Sequence, residues 1–234
     1  MQKQIVNERW IYAFPSSDDL VTYVGDKKHI LIAIGTEKIL NEDKKLVRII
    51  NENIGYPDGI GAVAALRRKG SRAVKIRGAE LWLEIIRRYQ HEKSFFLIGA
   101  EQMVIERTIE KLRCEFPNIN ILGYRDGYFQ EDELPSLLVT LKAKKPDIVY
   151  VAMGSPRQEY IMEKMYREYP ALYMGLGGSY DLFIGKAKPV PAWWNKMFKW
   201  EGLYRAFNDI GNLKRWKRQL PALRIIYKLL LNKI

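Results

Sequence analysis

A chain of 234 residues and 27.4 kDa, 47% hydrophobic and 28% charged, is long enough to bury a full α/β core and too apolar to be disordered. A single cysteine, Cys114, excludes a disulfide framework and a thiolate zinc site and agrees with a reducing compartment. The net charge of +12 is uneven: between 186 and 234 twelve lysines and arginines face only Glu201 and Asp209, so the basicity belongs to the tail.

The N-terminus lacks the apolar run of a signal peptide, and nowhere do about 18 uninterrupted apolar residues occur. The expectation is a cytoplasmic protein with no span. Short apolar runs alternate with segments of helical period, the pattern of strands and crossover helices in a mostly parallel sheet. In chain order, "ERWIYAF" (8–14) reads as an antiparallel edge. Strands follow at 29–34, 73–77, 94–99, 118–124, 147–154 and 171–177. Helices are predicted at 37–52, 60–69, 79–91, 101–115, 131–144 and 157–168. Pro117, Pro146 and Pro170 each stand just before a strand, where a helix must already have stopped. After Gly185 the pattern changes to prolines, tryptophans and lysines, then to a basic, apolar stretch at helical spacing. We divide the chain into a Rossmann-like catalytic domain, 1–190, and a basic helical C-terminal appendage, 191–234.

Ligands of open α/β sheets bind beyond the carboxyl ends of the strands. The loops there are "GTEK" (35–38), "YPDGIG" (56–61), "GAEQ" (99–102), "YRDGYF" (124–129), "GSPRQE" (154–159) and "GLGGSYDLFIG" (175–185). Glycines let backbone N–H groups approach a ligand, and helix starts favour phosphate. Any one such loop is more often a tight turn; several on one edge point to a nucleotide pocket. No GxxxxGK[ST] and no GxGxxG after the first strand occurs, against a P-loop and a dinucleotide site. With only His29 and His91, a His/Cys metal site or a Ser-His-Asp triad is hard to assemble. Proton chemistry then falls to carboxylates: Glu37, Asp58, Glu101, Asp126, Glu159 or Asp181. Asp58, fixed between proline and glycine, reads evenly as a helix N-cap or as a catalytic group. Asp181 serves equally as a turn residue or a ligand contact.

The tail has three readings: solvated surface, nucleic-acid binding, or a basic amphipathic segment on an anionic membrane. Trp193, Trp194, Trp200, Leu203, Leu223, Ile225, Leu229 and their neighbours are too many large apolar groups to leave in water, and nucleic acid would not need the leucines. A membrane surface is the first choice and a second copy of the chain the next.

The motifs "AIGTEK", "YPDGIG", "RGAELW", "FFLIGA", "DGYF", "VAMGSPRQE", "YMGLGGSYDLFIG" and "EGLYR", in this order, resemble the WecG/TagA/CpsF glycosyltransferases, glycosyltransferase family 26, over nearly the whole chain after about residue 20. The wording is most similar to the branch that adds N-acetylmannosaminuronic acid in enterobacterial common antigen synthesis. The resemblance implies an inverting, metal-independent enzyme with no cofactor. It would move a sugar from a UDP donor to a GlcNAc-diphosphate-polyprenyl acceptor at the inner face of the cytoplasmic membrane, with the appendage against the bilayer. It implies Asp58 as the base and Gln158 as a donor contact. Gly154, Ser155, Gly177, Gly178 and Asp181 would line the nucleotide side, and Arg205 would reach a phosphate from the appendage. Thr36, Glu37, Gly59, Gly99 and Asp126 complete the expected substrate-binding set. The chain departs from the family pattern in having Gly35-Thr36-Glu37 in place of Asn-Ala-Glu, Lys75 at the family arginine with Arg77 two positions on, and Pro189 at the arginine of "RAP". A capsule, O-antigen or teichoic-acid transferase using UDP-ManNAc or UDP-glucose is the alternative, and a non-catalytic nucleotide- or nucleic-acid-binding protein is a remote one.

Overall fold

The computed structural model describes residues 2–187 together with Val190, Pro191, Trp194 and Tyr204. In chain order the elements are β1 (Lys3–Val6), β2 (Arg9–Tyr12), α1 (Ser17–Val24), β3 (Ile30–Ile34), α2 (Thr36–Leu40), α3 (Lys44–Glu52), β4 (Ile54–Pro57), α4 (Ile60–Arg68) and α5 (Gly78–Tyr89). There follow β5 (Ser94–Gly99), α6 (Gln102–Glu115), β6 (Asn120–Arg125), α7 (Leu134–Lys144), β7 (Ile148–Ala152), α8 (Arg157–Glu168), β8 (Leu172–Gly175) and α9 (Ser179–Phe183).

Six strands form one sheet in the order β4-β3-β8-β7-β5-β6, and every neighbouring pair is parallel. The inner strands are continuous apolar runs, "SFFLIG" and "IVYVA", buried along their whole length, because a parallel sheet is covered on both faces. Alternation divides the core. Ile30, Ile32, Ile34, Val149 and Val151 pack with α3, α4, α7 and α8, whereas Leu31, Phe95, Leu97, Ile148 and Tyr150 pack with α1, α5, α6 and α9. The chain is thus α/β and Rossmann-like, as the alternation of strands and helices predicts.

Several elements differ from the sequence reading. The segment 73–77 is not a strand. It is buried at Ala73 and Ile76, a spacing of three where a strand needs two, and isolated bonds rather than a ladder hold it: Val74 N to Phe14 O at 3.1 Å, Ile76 N to Pro57 O at 2.9 Å and Arg67 Nε to Ala73 O at 2.8 Å. The helix predicted over 37–52 is two helices. The first ends at Leu40, where Asn41 turns to extended backbone, and Asp43 caps the second, its Oδ1 accepting from Lys45 N at 2.8 Å and Leu46 N at 3.2 Å. The edge expected at 8–14 is one arm of the separate hairpin β1-β2, which lies against β4 without joining its ladder. Unpredicted are β4 itself, α1 with Ser16 as its cap, and the short α9 inside the last glycine-rich loop. The boundary at 190/191 and nearly all of the appendage lie outside the described residues.

Candidate active site

The chain leaving β3 turns to one face of the sheet, where Ile39 of α2 is buried; the chain leaving β8, its neighbour, turns to the other face, where Tyr180 of α9 is buried. The two loops part and leave a crevice at the carboxyl edge. It measures about 450 Å³, and its walls come from the ends of β3, β4, β7 and β8 and from the start of α5.

Backbone amides dominate this edge. The N-cap positions of α2, α4, α5, α8 and α9 are Gly35, Gly59, Arg77, Pro156 and Gly178, and none supplies a side-chain cap. By contrast α1 and α3, which follow no strand of the sheet, are capped by Ser16 and Asp43. Apart from α5, whose first amide is bonded by the Asp58 side chain, helix starts left open in this way present N–H donors and a positive dipole end to an anion. Gly154 and Gly177 adopt φ of +75° and +57°, and open space lies where a Cβ would stand on either residue, as it does on Gly178.

The charged groups are held firmly. Asp58 N donates to Ile34 O at 3.2 Å, and Asp58 Oδ1 accepts from Gly78 N, the first amide of α5, at 3.1 Å. The N-cap of α4 is therefore Gly59, and Asp58 serves a different helix. Beneath it the Tyr56 hydroxyl is fully buried without a hydrogen-bond partner, and burial first, then the Asp58 charge, raises its pKa well above the ordinary phenol value. Arg77 Nη1 bonds Glu80 Oε1 at 2.8 Å. Gln158 is 4% exposed; its Oε1 accepts from Gly177 N at 2.9 Å, so this amide fixes the glycine-rich loop after β8.

Of the residues expected at a site, the cleft gathers Glu37, Asp58, Arg77, Ser155, Gln158, Gly177 and Gly178. Thr36, Gly59 and Gly154 adjoin it: a Cβ on Gly59 would stand 3.2 Å from Gly35 Cα, so two lining loops touch there. Lys75, half-buried on the extended segment, is not on the cleft wall, whereas Arg77 is. Nor does the structure bring in Gly99, Asp126 or Asp181. A Cβ on Gly99 would stand 2.3 Å from Ala152 O, Asp126 Oδ1 accepts from Tyr128 N at 2.8 Å in a turn, and Asp181 lies 3.7 Å from Lys186 Nζ. Arg205 lies outside the described residues. The sequence reading passed over Lys38, which lines the cleft and pairs with buried Glu159 at 3.1 Å. Its signal was its place beside Glu37 in the loop after β3.

A larger hollow, about 820 Å³, lies between the hairpin turn and α3. Its amide side chains are taken by its own backbone: Asn7 Nδ2 bonds Ile39 O at 2.6 Å, and Asn51 bonds both Trp10 N and Glu8 O at 2.8 Å. The smaller cleft is therefore the candidate site. Among the described residues no group of three or more His, Cys, Asp or Glu is arranged to hold a metal ion, and no helix is long and apolar enough to cross a membrane. The sequence from residue 16 to 234 matches the family model described as Glycosyl transferase WecG/TagA/CpsF family.

Proposed function

The chain belongs to the WecG/TagA/CpsF family of glycosyltransferases of surface-polysaccharide synthesis, and from that premise we propose that it moves a sugar, with inversion, from a UDP donor to a GlcNAc-diphosphate-polyprenyl acceptor. The observation that carries this reading is the convergence in one cleft of the Asp58 carboxylate with helix N-termini and the Arg77 guanidinium. Asp58 takes the proton of the acceptor hydroxyl. The hydroxyl oxygen bonds to the anomeric carbon from the face opposite UDP as the bond to the β-phosphate oxygen breaks. The charge that leaves with UDP is met by the amide of Gly178, by Ser155 and by Arg77, without a bound metal. Gln158 acts on this step by holding the Gly177 loop.

N-acetylmannosaminuronic acid is the expected donor sugar. Gly35-Thr36-Glu37, where the family pattern has Asn-Ala-Glu, favours a second reading in which a related transferase takes UDP-ManNAc or UDP-glucose. Incubation with a panel of UDP-sugars and a short-chain GlcNAc-diphosphate lipid, followed by UDP release and mass spectrometry of the product, separates the two. No turnover with any donor defeats both, and loss of turnover in EDTA defeats the metal-free step. The basic, tryptophan-rich tail supports a peripheral position on the inner face of the cytoplasmic membrane. The full-length protein should float with anionic liposomes and not with neutral ones, less so as salt rises. Tight, salt-sensitive binding to DNA or RNA would favour the nucleic-acid alternative.

A further inference from the structure

Lys38 enters the cleft from the first turn of α2 with a side chain only 12% exposed. An ammonium so far out of water needs partners. Its Nζ donates to Ala33 O at 2.9 Å and lies 3.1 Å from Glu159 Oε1. Glu159, 1% exposed on the first turn of α8, accepts on that same oxygen from Gln158 Nε2 at 3.1 Å, and its Oε2 has no hydrogen-bond partner. Gln158 in turn holds Gly177 N. One carboxylate oxygen thus ties the loop after β3 to the loop after β8. The glycine that ends β8 makes room for the tie, because a Cβ on Gly175 would stand 2.5 Å from Gln158 Nε2.

As packing alone this arrangement is poor. A buried Lys–Glu pair returns little beyond its desolvation cost, and apolar side chains would fill the space as well. An ammonium has three protons; Ala33 O accepts one, and the Glu159 carboxylate balances the charge from 3.1 Å. That leaves donor capacity on a side chain that lines the same cleft as Gly177 and Gly178. We propose that Lys38 is the side-chain donor that meets the diphosphate of the nucleotide sugar, and that Glu159 is a positioning residue that sets Lys38 and, through Gln158, the Gly177 loop against that group. This rests on the nucleotide-sugar reading of the cleft.

Calorimetric titration of the full chain with UDP and, separately, with uridine tests it. Lys38→Met should weaken UDP about tenfold or more, the scale of one charge-assisted hydrogen bond, and leave uridine, which lacks the phosphates, within about twofold. Glu159→Gln should change the UDP-to-uridine ratio in the same direction. The double variant should lose no more than the worse single, since both act on one contact. If Glu159→Gln does not fold, Lys38→Met on its own decides. Variants with a lowered Tm but an unchanged UDP-to-uridine ratio would show a purely structural pair and overturn the proposal. If the wild type binds UDP and the variants bind it equally well, this proposal alone falls; if the wild type binds no UDP, the nucleotide-sugar reading falls and takes the proposal with it.

Discussion

Asp58 Oδ1 accepts a hydrogen bond from the backbone N–H of Gly78, 20 residues further along the chain, at 3.1 Å. The bond joins the loop after β4 to the start of α5 and aims the carboxyl group along the cleft wall. An asparagine oxygen can accept the same bond without serving as a base. Asp58→Asn should therefore keep the fold and UDP binding while turnover falls about 100- to 10,000-fold, the usual worth of general base help. Steady-state kinetics beside a UDP titration checks this. An unchanged turnover number would remove Asp58 from the reaction.

Gly78 is bare because a Cβ there would stand 2.8 Å from the Tyr56 hydroxyl. Gly78→Ala should cost about 1–3 kcal/mol through overpacking. Tyr56→Phe removes a buried hydroxyl that has no partner and should change stability by less than about 1 kcal/mol. Most of the alanine penalty should then disappear in the double variant, as denaturant unfolding would show.

Gly99 was expected to bind substrate, and its geometry gives it a structural task. Its φ is +122°, and a Cβ would stand 2.3 Å from Ala152 O, a backbone atom that cannot swing aside. Gly99→Ala should lower stability by about 3 kcal/mol or more, from strain and overlap together. Thermal unfolding would register the loss with or without UDP. A variant of normal stability and poor turnover would instead restore Gly99 to the site.

Tyr160 of α8 donates its hydroxyl to Asp43 Oδ2, the cap of α3. Burial and then that carboxylate push the tyrosine pKa up to about 12, while the tyrosine hydrogen bond, first among several causes, lowers that of Asp43. A raised folded pKa means a contribution complete below pH 10, the ordinary tyrosine value, and lost as pH rises toward about 12. The depressed Asp43 contributes above its ordinary pKa of 3.8 and loses that contribution as pH falls through its folded value. Tyr160→Phe should be less stable than the wild type at neutral pH, and the gap should close between pH 10 and about 12. Melting temperatures across pH would follow it. A gap that stayed constant to pH 12 would mean that the hydroxyl bond adds nothing to the stability of this junction.

Much of this architecture was legible in one dimension. The helix predicted at 157–168 is α8 residue for residue, and the runs at 29–34, 94–99 and 147–154 contain β3, β5 and β7, because fully buried parallel strands leave uninterrupted apolar stretches. Local chemistry also marked the stops before Pro146 and Pro170. The misreadings arose where burial rather than pattern decides. "AVKIR" has the composition of a strand but meets the fold through isolated bonds and joins no ladder, and "IGYP" is a strand only because β3 pairs with it. The break at Asn41–Asp43 was written in capping residues, yet the apolar period on either side concealed it.

The sequence by itself determined the fold class and the family, since these follow from periodicity and from motifs in a fixed order. Only the tertiary structure decided which loop residues at the carboxyl edge of the sheet meet. Asp58 meets Gly78, Lys38 meets Glu159 and Gln158 meets Gly177, because β8 is inserted between β3 and β7, while Asp126 and Gly99 stay outside the cleft. The physical reason is that hydrogen bonds and ion pairs act over a few ångströms, and strand order sets distances on that scale that no spacing along the chain records.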